Sequence, residues 1–187
     1  LLSSAFIFPG YTLKPKKKLY NDKIKLSLVG CGGRGTGAVI NALNADDNIE
    51  LISMCDVFED NIERSLNNLK DEFKGTSKIQ VKNENCFTGF DGYKKTIDNA
   101  DVVILATPPG FRPQHFEYAV NSSKHVFVEK PVATDISGIK RFIESAKIVK
   151  KKKLNVVVGL QRRYQPSYIN TFKPVSYTHL RAHETQS

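Results

Sequence analysis

Gly30, Gly32 and Gly35 satisfy G-x-G-x-x-G within the run Gly30-Cys31-Gly32-Gly33-Arg34-Gly35, directly after the apolar stretch Ile24 to Val29. That spacing suits a pyrophosphate. The first glycine makes a tight turn, the second lets backbone approach the phosphates, and the third allows close helix-to-strand packing. The helix that follows offers free amides and the positive end of its dipole. Asp56 closes the next apolar stretch, somewhat beyond the usual spacing of about 20 residues for the acid that reads the ribose. A carboxylate there accepts hydrogen bonds from ribose hydroxyls and repels a 2′-phosphate, so the expected cofactor is NAD rather than NADP. Read without a ligand, Asp56 is a turn or cap residue; the order strand, glycine loop, helix, strand, acid favours the ribose role. Arg34, as a cation available to a 2′-phosphate, keeps NADP as the lesser option. A methyltransferase also uses a glycine turn and a second-strand acid. Those enzymes usually carry an acid just before the first glycine, where this sequence has Leu28-Val29.

Three further clusters follow apolar stretches. They are Thr107-Pro108-Pro109-Gly110, Glu129-Lys130-Pro131, and Gly159-Leu160-Gln161-Arg162-Arg163-Tyr164. In an open parallel sheet, ligands bind beyond the carboxyl ends of the strands, where these clusters fall. Two adjacent charges such as Glu129 and Lys130 would elsewhere read as a surface pair. At the mouth of a buried strand and ahead of Pro131 they read as site residues.

The elements that must position these residues alternate. Strands are expected at Ile24 to Val29, Ile49 to Cys55, Ile79 to Val81, Val102 to Ala106, Val126 to Val128 and Val156 to Val158. Between them, three-to-four spacing of apolar residues marks helices. Ala38, Val39, Ala42 and Leu43 form one face, and Ile62, Leu66, Leu69 and Phe73 the clearest second. Asp60 with Glu63 has capping-box spacing. A short helix spans Tyr93 to Asn99, and Pro113 opens one that buries Phe116, Ala119 and Val120. The last long helix is expected to pack through Ile136, Ile139, Ile143 and Ala146 and to end in Lys150 to Lys153, where positive charge suits the dipole. This alternation predicts an α/β, Rossmann-type doubly wound parallel sheet with right-handed crossovers.

Together these motifs resemble the glucose–fructose oxidoreductase, inositol dehydrogenase and rhizopine-catabolism family, Gfo/Idh/MocA. The resemblance covers roughly Lys23 to Tyr168. It rests on Gly30 to Gly35, Cys55-Asp56-Val57, Ala106-Thr107-Pro108-Pro109, Glu129-Lys130-Pro131 and Gly159 to Tyr164. It implies an N-terminal dinucleotide-binding domain followed by an α/β domain with an open antiparallel sheet, which this sequence lacks. It also implies hydride transfer between a nicotinamide and a sugar or cyclitol-like hydroxyl. By the match, Lys130 is the lysine near the reacting oxygen and Glu129 lies near the nicotinamide ribose. Thr107 and Pro108 line the cofactor groove; Gln161 and Arg162 approach the nicotinamide side. A lysine ammonium beside that oxygen stabilises developing negative charge and passes a proton. The Lys130–Pro131 bond is expected to be cis. A dehydrogenase, an NAD-dependent glycosidase of the same family and a non-catalytic dinucleotide-binding regulator remain open, with a homo-oligomer expected for the whole protein. His115 is expected to be a packed or capping residue.

Composition excludes other classes. Of 187 residues, 40% are hydrophobic and 25% charged, as in a globular chain rather than a disordered one. The net charge of +9 is concentrated in two lysine runs, at Lys14 to Lys18 and Lys150 to Lys153. With no Trp and no aromatics interleaved with those runs, no nucleic-acid partner is expected. Cys31, Cys55 and Cys86 fit neither a disulfide framework nor a zinc site, so no metal is expected. No apolar run reaches the roughly 20 residues of a membrane span. Residues 1–22 read as a signal remnant and linker, which would place the parent outside the cytoplasm; an apolar arm is the alternative. Residues 23–162 form the dinucleotide-binding domain, and 163–174 begin a second. Residues 175–187 show no periodicity and resemble a translated library adapter, so His179, His183 and Glu184 are set aside as ligands.

Overall fold

The computed structural model describes residues 23–173; the signal-like opening and the adapter-like tail lie outside them. Six strands form one parallel sheet in the order β3-β2-β1-β4-β5-β6. They are β1 (Ile24–Val29), β2 (Ile49–Asp56), β3 (Cys86–Thr88), β4 (Val102–Leu105), β5 (His125–Val128) and β6 (Val156–Val158). The helices are α1 (Gly33–Ala45), α2 (Glu59–Glu72), α3 (Gly92–Asp98), α4 (Arg112–Asn121), α5 (Ile136–Lys152) and the short α6 (Gln161–Tyr164). Strand order reverses between β1 and β4. The crevice at such a switch point is where doubly wound sheets bind ligands.

The sheet is buried on both faces, as a parallel sheet must be. On one side α1 and α2 place Val39, Leu43, Ile62, Leu66, Leu69 and Phe73 over Leu26, Leu28, Leu51 and Ile104. On the other, Tyr93, Ile97, Phe116, Ala119 and Val120 from α3 and α4 cover Val29, Val103, Leu105, Val126 and Val128. The periodic faces of α1, α2 and α4 are thus the buried ones.

Three local expectations are corrected. The third strand is Cys86–Thr88, not Ile79 to Val81. Ile79 makes a single bridge to Leu51, and the chain then leaves the sheet edge before returning alongside Met54 to Asp56. The capping box does not form: α2 begins at Glu59 after Phe58, with no side-chain cap bond. Asp56, one turn earlier, accepts from the Phe58 amide at 3.1 Å and from Asn61 Nδ2 at 3.1 Å. Finally, α5 is rotated from the predicted face. Ile136, Ile139 and Ile143 are exposed, whereas Phe142 packs on Phe116 at 4.0 Å between ring centroids. A large flat ring stacked on a buried ring outcompetes the slimmer isoleucine stripe for the interior. Asp135 caps this helix by accepting from the Gly138 amide at 2.8 Å. At its far end Lys152 donates to the carbonyls of Val120 and Asn121, satisfying the end of α4.

Candidate functional site

The glycine loop joins β1 to α1. Gly30 has φ +97°, a left-handed conformation that disfavours any side chain, and a Cβ there would lie 2.7 Å from the Thr107 amide nitrogen. A Cβ on Gly35 would lie 2.1 Å from the Gly30 carbonyl oxygen, so α1 seats against the loop only through a glycine. Gly32 and Gly33 differ. Both are exposed, and a Cβ on either would meet open space. α1 has no side-chain N-cap, so its first amides remain available to an anionic ligand. A pyrophosphate therefore fits this cradle.

Asp56 leaves the end of β2 and faces the same crevice. Its Oδ2 accepts from the Cys31 amide at 2.7 Å, tying the acid to the glycine loop. Its Oδ1 accepts from the Phe58 amide and Asn61 Nδ2 in the turn ahead of α2, and the residue lines the cleft. That cleft, of about 610 Å³, is also lined by Gly30, Gly32, Thr107 and Pro108. Phe58, Asn61, Phe90, Phe111, Arg112 and His115 complete its walls. Phe58 and Phe90 are exposed aromatics at its rim, and Phe90 lies 5.9 Å from Phe111 between centroids. Such faces can hold a flat heteroaromatic ring. The sequence signal for Phe58 was its place two residues after Asp56; Phe90 and Phe111 lie in loops whose path no periodicity reveals.

Glu129 and Lys130 follow β5, the second neighbour of β1 on the same side of the sheet. Glu129 is buried and pairs with Arg34 of the glycine loop, 2.8 Å from Nε and 2.6 Å from Nη2. The Arg34 guanidinium is thus engaged by a buried carboxylate at the end of β5. Lys130 is exposed, and the Lys130–Pro131 bond is cis, as expected. Gln161 and Arg162 lie on α6 beyond β6, both exposed and outside the cleft. Arg162 sits over the Tyr168 ring, 5.2 Å from its centroid.

His115 is buried in the cleft wall, its ring tilted against Tyr93 with centroids 4.2 Å apart and Nδ1 3.2 Å from the Thr107 hydroxyl. Burial pushes its pKa down to about 4, so the ring is neutral near pH 7. Burial likewise pushes the Cys55 thiol up to about 12 and Cys31 higher still. Neither is a thiolate nucleophile at neutral pH. Among the described residues no group of three His, Cys, Asp or Glu could hold a metal, and no helix is long and apolar enough to cross a membrane.

A sheet ordered 3-2-1-4-5-6, with a glycine cradle at its switch point and an acid at the end of β2, defines a dinucleotide-binding Rossmann domain. Residues 24–160 match the model of the oxidoreductase family GFO_IDH_MocA, NAD-binding Rossmann fold, and the chain belongs to that family. It is 28% identical over 125 residues to a glycosyl hydrolase family 109 protein of Streptomyces coelicolor, covering 66% of this chain and 25% of that protein. It is 27% identical over 150 residues to inositol 2-dehydrogenase of Salmonella paratyphi B, covering 78% and 39%. In fold it is similar to scyllo-inositol dehydrogenase from Lactobacillus casei with bound NAD(H) and scyllo-inositol. That likeness has TM-score 0.62 and 23% identity, over 83% of this chain and 42% of the other. The chain thus spans less than half the length of these relatives and carries the family's NAD-binding domain.

Proposed function

We propose that this chain is the cofactor-binding part of a dehydrogenase acting on a sugar or cyclitol-like hydroxyl. The observation that carries the reading is the Glu129-Lys130 pair, held at the mouth of β5 and tied to the glycine loop by Arg34. Gly30, Gly32, Gly33 and Gly35 with the α1 amides hold the pyrophosphate. Asp56 accepts from the adenosine ribose, and Thr107 and Pro108 line the groove. Glu129 lies near the nicotinamide ribose, and Gln161 and Arg162 approach the nicotinamide side. When bound, the nicotinamide supplies the hydride acceptor. The Lys130 ammonium stabilises negative charge on the reacting oxygen and passes its proton. Remaining substrate contacts would come from the part of the relatives' length that this chain does not span.

Two measurements test this. Calorimetry on residues 23–173 should show NAD binding and much weaker NADP binding. In the whole enzyme Lys130→Met should abolish most turnover while leaving NAD affinity within about threefold. Normal turnover would remove Lys130 from the chemistry. The similarity to a family 109 glycosyl hydrolase supports a second reading, a glycosidase in which bound NAD would take a hydride from the sugar and return it within one cycle. Release of a free sugar without net NADH would select it.

A further inference from the structure

Arg112 opens α4, where a cation meets the unfavourable end of the helix dipole and where a solvated arginine would ordinarily point outward. It is instead 6% exposed. Its Nη1 donates to the Glu129 carbonyl at 3.0 Å and also to the Pro131 carbonyl. Those two carbonyls bracket Lys130. The Nε of the same guanidinium is buried with no hydrogen-bond partner among the described residues, so the group is not placed there to satisfy its own donors. The Lys130 side chain is exposed and makes no hydrogen bond or ion pair among the described residues. A side chain without a hydrogen-bond or ion-pair partner takes its starting direction from its backbone, and one nitrogen grips that backbone on both sides.

We propose that Arg112 is the positioning residue for Lys130, fixing the direction in which the lysine leaves the Glu129–Pro131 turn. The proposal rests on the reading of Lys130 given above. Arg112 reaches Lys130 through the carbonyls and acts on no reacting atom itself. Displacing a catalytic group by an ångström costs about 100-fold in rate, which sets the effect expected here.

The test is a double-mutant cycle in the whole enzyme, joined to a measurement on this chain that needs no activity. Arg112→Met should lower kcat about 100-fold, with substrate KM within about threefold. In a Lys130→Met background the same substitution should change kcat no further, because its effect passes through the lysine. An equal loss in both backgrounds, or an unchanged kcat, overturns the proposal. Arg112→Lys, which retains a nitrogen donor, should recover at least about tenfold of the loss. Should Arg112→Met fail to fold, Arg112→Lys carries the cycle: its residual loss must vanish in the Lys130→Met background, and persistence there overturns the assignment. On this chain, reductive methylation with carbon-13 gives Lys130 its own NMR resonance. Arg112 substitution should shift that resonance and leave those of distant lysines in place; an unmoved resonance refutes the positioning. Normal turnover by Lys130→Met, with the resonance still shifted, would instead sink the catalytic reading of Lys130 and leave the positioning standing.

Discussion

The Arg34 guanidinium lies 2.6 Å from the Glu129 carboxylate, joining the loop after β1 to the end of β5 across the sheet's switch point. The partners are unequal, because Arg34 keeps 60% of its side-chain surface while Glu129 keeps 3%. Removing Arg34 therefore strands a buried carboxylate, which costs more than losing a solvated cation. Arg34→Met should destabilise the domain by about 1–3 kcal/mol. Adding Glu129→Gln should return part of that loss, since a neutral amide tolerates the site. Thermal unfolding of the two single variants and the double variant measures it, and a purely additive result would mean that the pair is energetically idle.

Asp56 sits where charge decides between cofactors. Its oxygens already accept from the Cys31 and Phe58 amides and from Asn61, so the carboxylate is held rather than free to swing aside. Asp56→Asn keeps most of that geometry and removes the negative charge. NAD affinity should fall about tenfold with the loss of charge-assisted bonds to the ribose. NADP affinity should rise or hold, because the repulsion is gone. Calorimetric titration of both cofactors checks the ratio; an unchanged preference would relocate the ribose contact.

His115 gives the domain an acid-sensitive component. Its folded pKa of about 4 lies below the ordinary 6.5, so between those values the unfolded chain binds a proton that the folded chain refuses. Stability therefore falls as pH drops through that window, by roughly 3 kcal/mol in the limit of full protonation of the unfolded state. His115→Gln should flatten the unfolding curve between pH 6.5 and 4 relative to the parent, leaving the carboxylate-dependent part below pH 4. Denaturant midpoints measured across that range provide the comparison.

Strand β1, the cradle and α1 were legible because each demands residue types that nothing else there would need. The same holds for β4, whose unbroken apolar run only a doubly covered strand requires. Where β3 pairs was not legible. Ile79 to Val81 is the more strand-like segment, yet Cys86–Thr88 lies beside Met54 to Asp56. Edge pairing is set by where the loop can return, and that is a property of the whole chain. The α5 stripe misled for a related reason. Periodicity identifies a helix and its faces, but which face turns inward depends on the partner, here Phe116 against Phe142. Arg112 was invisible in sequence, since an arginine ahead of a proline at a helix start reads as solvent-facing.

The glycines of the loop separate by what a methyl group would strike, and this divides folding from binding. At Gly35 an added Cβ lies 2.1 Å from the Gly30 backbone oxygen, which cannot yield cheaply, and 3.1 Å from a Leu28 methyl. Gly35→Ala should push α1 off the sheet and destabilise the domain by about 1–3 kcal/mol, as overpacking does, with NAD binding lost as a consequence. Gly32 has φ −71° and ψ 176°, a conformation open to any residue, and its Cβ would enter open space at the cleft. Gly32→Ala should leave the unfolding midpoint within about 0.5 kcal/mol of the parent. It should still weaken NAD by tenfold or more, because the methyl stands where the phosphates must approach the backbone. Paired thermal and calorimetric measurements on both variants distinguish the two glycines. Tight NAD binding by a folded Gly32→Ala domain would move the pyrophosphate out of this cradle.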